Sequence, residues 1–272
     1  MRKAFRFMLL VLCFISVVLL LSGCGEERKA AIEAYDAECD RINTEVSELN
    51  NLIADCEALI QAAEPAYDPE TLTALETATT DAKASITEIP DRPHKAEDIN
   101  SLVEDTLAKI SYTATTDSLN AAKDAYDHSV KVLKQVTNPS EEFIVNCIKN
   151  IPGIVGYDAV TEDNDPNGNL HKAGGYTSAV YFEYDKVDQS KTYGNTIIEK
   201  GTDCGGQLEV YATADDAQKR CDYLASFDGG ILASGSHTVV GTILVRTSDK
   251  LTASQQKELE ELIIAKLIEL PD

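Results

Sequence analysis

A chain of 272 residues is long enough for two ordinary domains, and its formal net charge of −22 sets it against nucleic acid phosphates and anionic lipid surfaces. Such a surface attracts cations and basic partners, and it also keeps an exported protein in solution. No nucleic acid partner is expected.

The chain begins with a basic stretch, Arg2, Lys3 and Arg6, followed by an uncharged and almost wholly apolar run from Phe7 to Leu21. At about 1.5 Å per residue that run spans roughly 22 Å, short of a bilayer core of about 30 Å. A basic start, a short apolar run and small residues at its end predict an export signal over residues 1–23. Leu21-Ser22-Gly23-Cys24 resembles the bacterial lipobox. The resemblance implies cleavage before Cys24, a diacylglycerol on its sulfur, and a chain anchored by lipid at the extracytoplasmic face of the cell membrane. Two acyl chains, palmitate-like in length, anchor stably where a single chain is marginal. The alternative is plain secretion, with Cys24 a free thiol at the new terminus. Cys39, Cys56, Cys147, Cys204 and Cys221 then remain, an odd number that argues against a disulfide-stapled fold.

Residues 24–138 read as a helical bundle or spacer. Ile32, Tyr35, Cys39, Ile42, Val46, Leu49, Ile53, Cys56, Ile60 and Ala63 alternate three and four apart, a coiled-coil-like heptad seam. Glu64-Pro65 ends this helix, and Asp68-Pro69 starts a second, with Asp68 as N-cap. Leu72, Leu75, Thr79, Ala82, Ile86 and Ile89 repeat the alternation until Pro90 and Pro93. A third stretch runs from Ile99 to Leu133, with a break expected near Tyr112 to Thr116, where β-branched residues cluster. Short proline turns between amphipathic helices predict an antiparallel arrangement. Cys39 and Cys56 lie about 25 Å apart along one helix and cannot bond to each other. They read as small buried hydrophobes or, in a sharper reading, as links between two chains through a parallel seam. His94 and His128 have no second ligand at helical spacing.

Residues 139–272 change period. Pro139-Ser140 opens a short helix with Phe143, Ile144, Cys147, Ile148 and Ile151 inward. Ile154–Thr161, Tyr176–Tyr184, Gln207–Tyr211 and Thr238–Arg246 read as strands, the last as one long strand. Thr213 and Thr252 open two further helices. The order predicts an α+β head with one mostly antiparallel sheet and helices packed on it, closing with a right-handed strand–helix–strand crossover. The whole chain is therefore expected to be α+β.

Five motifs follow one another in the head: Asp163-Asn-Asp165-Pro-Asn167, Gly174-Gly175-Tyr176-Thr177, Gly205-Gly206-Gln-Leu-Glu209-Val210, Ala217-Gln-Lys-Arg220-Cys-Asp-Tyr223-Leu224 and Leu244-Val-Arg246. Together, over about residues 150 to 268, they resemble the C-terminal domain of an uncharacterised family of lipoproteins from Gram-positive bacteria. The resemblance implies an α+β fold and a surface location, and it carries no activity.

The best candidate for chemistry is the loop from Asp163 to Asn169. Asp163, Asp165 and Asn167 with the Asn169 carbonyl match the first half of an EF-hand loop and make a candidate Ca2+ site. The bidentate Glu expected at the end of such a loop is Gly174 here, so Glu162 or Asp185 would have to substitute. The competing reading is a plain turn, since Asn, Asp, Gly and Pro are the usual turn formers. Cys204 and His237 form a thiolate–base candidate, weakened by the acidic neighbour Asp203. A Cys204–Cys221 disulfide is a third possibility. The pairs Gly174-Gly175, Gly205-Gly206 and Gly229-Gly230 lead into no phosphate-binding signature and read as places of close backbone approach. Arg220 and Arg246 interrupt apolar patterns and read as buried partners for carboxylates or as a clasp for an anionic ligand.

No catalytic residue emerges. The expected function is that of a non-enzymatic lipoprotein whose spacer carries a binding head, with an envelope or cell-wall partner. The alternative is an exported hydrolase with a site of no recognised motif.

Overall fold

The computed structural model describes residues 25–230 and 235–271 in full, and residues 2–24 only through the course of the first helix. Cys24 and the apolar run before it therefore lie outside the described side chains. The fold is α+β, as the periodicities predict, and the chain divides into two compact units. One comprises residues 1–64 and 70–126, the other 65–69 and 127–272.

The first unit is helical. Helix α1 (Arg2–Ala62) carries the heptad seam, and Ile42, Leu49, Ile53 and Cys56 of the seam are buried, as is Ala31 beside it. It packs against α2 (Glu70–Ser85) and α3 (Ala96–Asp105). Leu75, Thr79 and Ala82 face inward on α2 and Ile99 on α3. Polar side chains of α1 hold the proline-rich connector after α2. The Tyr35 hydroxyl donates to the Pro90 carbonyl (2.8 Å) and Arg28 Nε to the His94 carbonyl (3.0 Å).

The expected third helical stretch is two helices. After α3, a short 3-10 turn at Leu107–Lys109 leads to α4 (Thr113–Gln135). The break thus covers residues 106–112, Tyr112 included, and Thr113 to Thr116 form the first turn of α4 rather than interrupting it. The cause is on α1. Arg41 Nη2 donates to the carbonyls of Leu107 (3.0 Å) and Ile110 (2.9 Å), while Glu45 accepts the Tyr112 N–H (2.9 Å) and Arg41 Nη1 (2.6 Å). These side chains satisfy backbone groups that a continuous helix would have paired internally. The Tyr112 N–H, then Arg41, holds the Glu45 carboxyl below its ordinary pKa against a smaller effect of burial.

The second unit is a five-stranded antiparallel sheet with helices on both faces. Its elements after α4 are α5 (Glu141–Ile148), β1 (Ile154–Ala159), β2 (Tyr176–Tyr184), the single turn α6 (Ile197–Lys200), β3 (Gly205–Tyr211), α7 (Ala214–Ala225), β4 (His237–Val240), β5 (Ile243–Thr247) and α8 (Ala253–Ile268). The strand order is β1-β2-β3-β5-β4. Side chains cap the helices as expected. Ser140 accepts the Phe143 N–H, Thr213 the Asp216 N–H, and Thr252 with Gln255 completes a capping box.

Two expectations fail here for one reason. The stretch Thr238–Arg246 is a hairpin, not a single strand, and β3 and β5 pair antiparallel, so there is no right-handed crossover. Gly241 and Thr242 form the two-residue turn between the paired Val240 and Ile243. Gly241 has φ +60°, and a Cβ there would stand 2.4 Å from the Val136 carbonyl oxygen. Thr242 N–H donates to that same carbonyl (3.0 Å). A lone glycine in an apolar run was the only mark of this turn.

Strand alternation gives the sheet two different faces. Val180, Phe182, Leu208, Val210, Ile243 and Val245 lie on one, beneath Ile144 and Ile148 of α5 and Leu259, Ile263 and Leu267 of α8. On the other, Ala179, Tyr181, Tyr211 and Leu244 meet Ala217 and Leu224 of α7, with Leu170, Tyr176 and Ile198.

Candidate functional site

The loop from Val160 to Gly175 closes over the second face, and Asp165 organises it. Its Oδ1 accepts the Asn167 N–H (2.9 Å), its Oδ2 accepts the N–H groups of Asn169 (2.6 Å) and Leu170 (2.8 Å), and the Tyr176 hydroxyl donates to Oδ1 as well. Burial works to raise the Asp165 pKa, but the Tyr176 hydroxyl and the three backbone donors outweigh it and hold the carboxyl below its ordinary range. The same bond, added to burial, pushes the Tyr176 phenol well above its usual pKa. The Asn169 carbonyl accepts the Lys172 N–H (3.2 Å), and Asn167 Nδ2 donates to the Tyr181 hydroxyl (3.4 Å). Asp163 is exposed. The oxygens of Asp165 and Asn169 that an EF-hand pattern would offer to a cation are thus turned onto hydrogen-bond donors of the loop itself. Among the described residues no group of three or more His, Cys, Asp or Glu is placed to hold a metal ion. Gly175 is required by this closure, because a Cβ there would stand 1.9 Å from the Asn169 carbonyl oxygen.

The cysteines of the head are free. Cys204 is fully buried at the start of β3, where its thiol donates to the carbonyls of Phe182 (3.4 Å) and Gly201 (3.2 Å). Burial, then the Glu183 carboxylate, pushes its pKa up to about 11. Cys221 lies on α7 and faces the His237 carbonyl (3.9 Å). It is raised as well, by burial and then by Asp222 and Asp228. The disulfide that sequence position left possible between Cys204 and Cys221 is not formed. The thiol beside His237 is Cys221 and not Cys204, and it approaches the backbone oxygen of that residue. A thiolate nucleophile needs an electropositive, accessible setting, and neither position provides one.

The densest group of polar side chains lies beneath α7. Glu209, wholly buried on β3, accepts Arg246 Nη1 at Oε1 (3.0 Å) and the Tyr211 hydroxyl at Oε2 (2.6 Å). Arg220 reaches down from α7 to within 3.4 Å of Oε2. Arg246 Nη1 also donates to Gln207 Oε1 (3.0 Å). Tyr181, Gln207, Arg246 and His237 stand opposite one another across four strands, and Glu209 lies two residues along β3 from Gln207 on the same face. Burial, then the Glu209 charge, pushes the Tyr181 phenol up to about 12, and the same two causes raise Tyr211 further. Arg220 and Arg246 had been recognised in the sequence as partners for a carboxylate, and the carboxylate is Glu209. Gln207 and Glu209 were missed as buried groups, because the alternation of Gln207-Leu-Glu209-Val-Tyr211 reads as polar side chains facing water.

The sheet has one further distinctive place, its β1 edge. Val155 and Tyr157 are 66% and 44% exposed there, among the most exposed large apolar side chains of the described residues. Compared with known proteins, the chain matches no family model, no curated protein and no solved structure.

In the Glu209 cluster one buried carboxylate faces two guanidinium groups. A buried carboxylate with two guanidinium partners and a phenol donor has its oxygens occupied, and such a group serves as a structural anchor between sheet and helix rather than as a general base. Glu209 and Cys204 are built into the core, and the Asp165 loop covers part of it.

Proposed function

We propose that the chain is a membrane-anchored surface lipoprotein without enzymatic activity, in which the helical unit serves as a spacer and the α+β unit as a binding module. The observation that carries this reading is the sequence at residues 7–24: a short apolar run behind a basic start, closing in Leu21-Ser22-Gly23-Cys24. Diacylglycerol on Cys24 holds the protein at the extracytoplasmic face of the cell membrane. The ordered motifs from Asp163 to Arg246 are the ground for grouping it with the lipoproteins of Gram-positive bacteria. Binding rather than catalysis is supported by the head's own chemistry. Catalysis requires titratable groups in mutual reach around a place where a substrate can sit. Here the carboxylates of Glu209 and Asp165 spend their hydrogen-bonding capacity on the fold.

Expression of the full precursor and of its Cys24→Ala variant, followed by detergent phase partition, tests the anchor. The wild-type protein is expected in the detergent phase and the variant in the aqueous phase. A variant that still partitions with detergent would overturn the reading.

A further inference from the structure

We propose that the β1 edge of the sheet is a docking site for an extended, cationic segment of a partner protein, which joins the sheet as a sixth strand. The proposal deepens the binding-module reading and rests on it.

The backbone supplies the first argument. Val160 N–H donates to the Ala179 carbonyl (2.9 Å), so Val160 and Ala179 are a hydrogen-bonded pair of the antiparallel ladder. Alternation along β1 then turns the N–H and C=O groups of Tyr157 and Ala159 away from β2. Nothing else in the described chain pairs with them. At Thr161, the next position of the same parity, the N–H is capped by Asn164 Oδ1 (2.6 Å). The open stretch is therefore defined at one end by the Asp163–Asn169 loop.

Natural edge strands are usually short, charged, bent or covered. The opposite edge follows that rule: β4 has four residues, packs against α7, and its outward His237 carbonyl receives the Cys221 thiol. The β1 strand instead reads Ile-Val-Gly-Tyr-Asp-Ala, with neither Lys nor Pro, and shows Val155 and Tyr157 to solvent. Its protective features are the bulge at Ile154/Gly156 and the one charge of Asp158, and both leave Val155 and Tyr157 exposed.

Charge selects the occupant. Asp158, Glu162, Asp163 and Asp185 are exposed on β1, on the loop after it and on the end of β2. None of the four is in an ion pair among the described residues. A second copy of this chain would bring the same carboxylates and the same net charge of −22 against themselves. An extended segment with Lys or Arg beside small apolar residues meets both the open ladder and the carboxylates.

The test uses the full-length protein in detergent and a labelled peptide of alternating Lys and Val as the probe. The peptide is compared with one of identical composition whose alternate backbone nitrogens are methylated. The expected result is saturable binding of the first, slowed hydrogen exchange at the Tyr157 and Ala159 amides, and at least about tenfold weaker binding of the methylated peptide. Tyr157→Pro is expected to weaken the first peptide by a similar factor, since proline at this outward position removes a donor the ladder of β1 and β2 does not use. Asp158→Lys keeps the backbone and is expected to weaken binding with a reduced dependence on salt. Equal binding of both peptides would show simple charge attraction and overturn the proposal, as would no binding at about 1 mM. Association of the chain with itself through Tyr157 would overturn it in favour of a second copy. None of these failures touches the Cys24 anchor, which is read by phase partition.

Discussion

The two faces of the sheet solve the same problem differently. Both are covered by helices and both are buried, yet one is built of apolar side chains, mostly aliphatic with Phe182 and Tyr184, and the other around Glu209 with Arg246, Arg220, Gln207 and three tyrosines. An aliphatic face is held by area and shape, and each side chain contributes by itself. The polar face is held by hydrogen bonds and ion pairs that share the Glu209 carboxylate, so its members depend on one another.

The largest effects should come from unbalancing the polar face. Glu209→Gln leaves Arg246 and Arg220 beside a neutral amide and is expected to cost about 3–5 kcal/mol of stability, read from the denaturant midpoint. Replacing Glu209, Arg246 and Arg220 together by Leu, Met and Leu should return stability to within about 1–2 kcal/mol of wild type, because no uncompensated charge remains. On the aliphatic face, Phe182→Ala should also cost about 3–5 kcal/mol, and no change at a neighbouring polar group should restore it. Rescue on one face without rescue on the other is the signature of the contrast. If the triple replacement is as damaging as the single one, the two faces do not differ in kind.

A smaller effect is expected at Asp165. Asp165→Asn removes the charge from a set of hydrogen bonds, and because the group is partly exposed the loss should be about 1–2 kcal/mol. The pKa of this carboxyl is depressed in the folded state. Its contribution is therefore present above the ordinary aspartate value of about 4 and is lost as pH falls through the depressed one. Thermal melts between about pH 6 and pH 3 should show a shallower acid limb in the variant than in the wild type. Identical limbs would remove the carboxylate from the account of the loop.

The smallest effect is chemical. At pH 8, iodoacetamide should leave Cys204 unmodified in the native protein, since burial holds its thiol at about 11. Full modification should follow unfolding in denaturant. Rapid native labelling of Cys204 would mean that the edge where β3 begins opens readily.

What the sequence revealed follows the range of the interactions. The seam from Ile32 to Ile60 was legible because a helix repeats its own geometry every few residues, and the caps at Ser140, Thr213 and Thr252 were legible because a cap is local. The Gly241-Thr242 turn was not, because the carbonyl of Val136 that fixes it is remote in sequence. Gln207 and Glu209 were misjudged for a related reason. Alternation shows which side chains share a face, and only α7 and the Val160–Gly175 loop, brought in from elsewhere in the chain, bury that face. The Asp165 loop was noticed for the right residues, but its composition suits a cation and a self-bonded turn equally well. The Tyr176 hydroxyl and the Leu170 N–H turn Asp165 inward.

Membrane anchorage rests on the sulfur of Cys24. Intact-mass analysis of the protein released from its native membrane tests it most directly. The expected species begins at Cys24 and carries the mass of a diacylglyceryl group, removable as acyl chains by mild base. A native species that begins at another residue, or that bears an unmodified thiol at Cys24, would contradict the account.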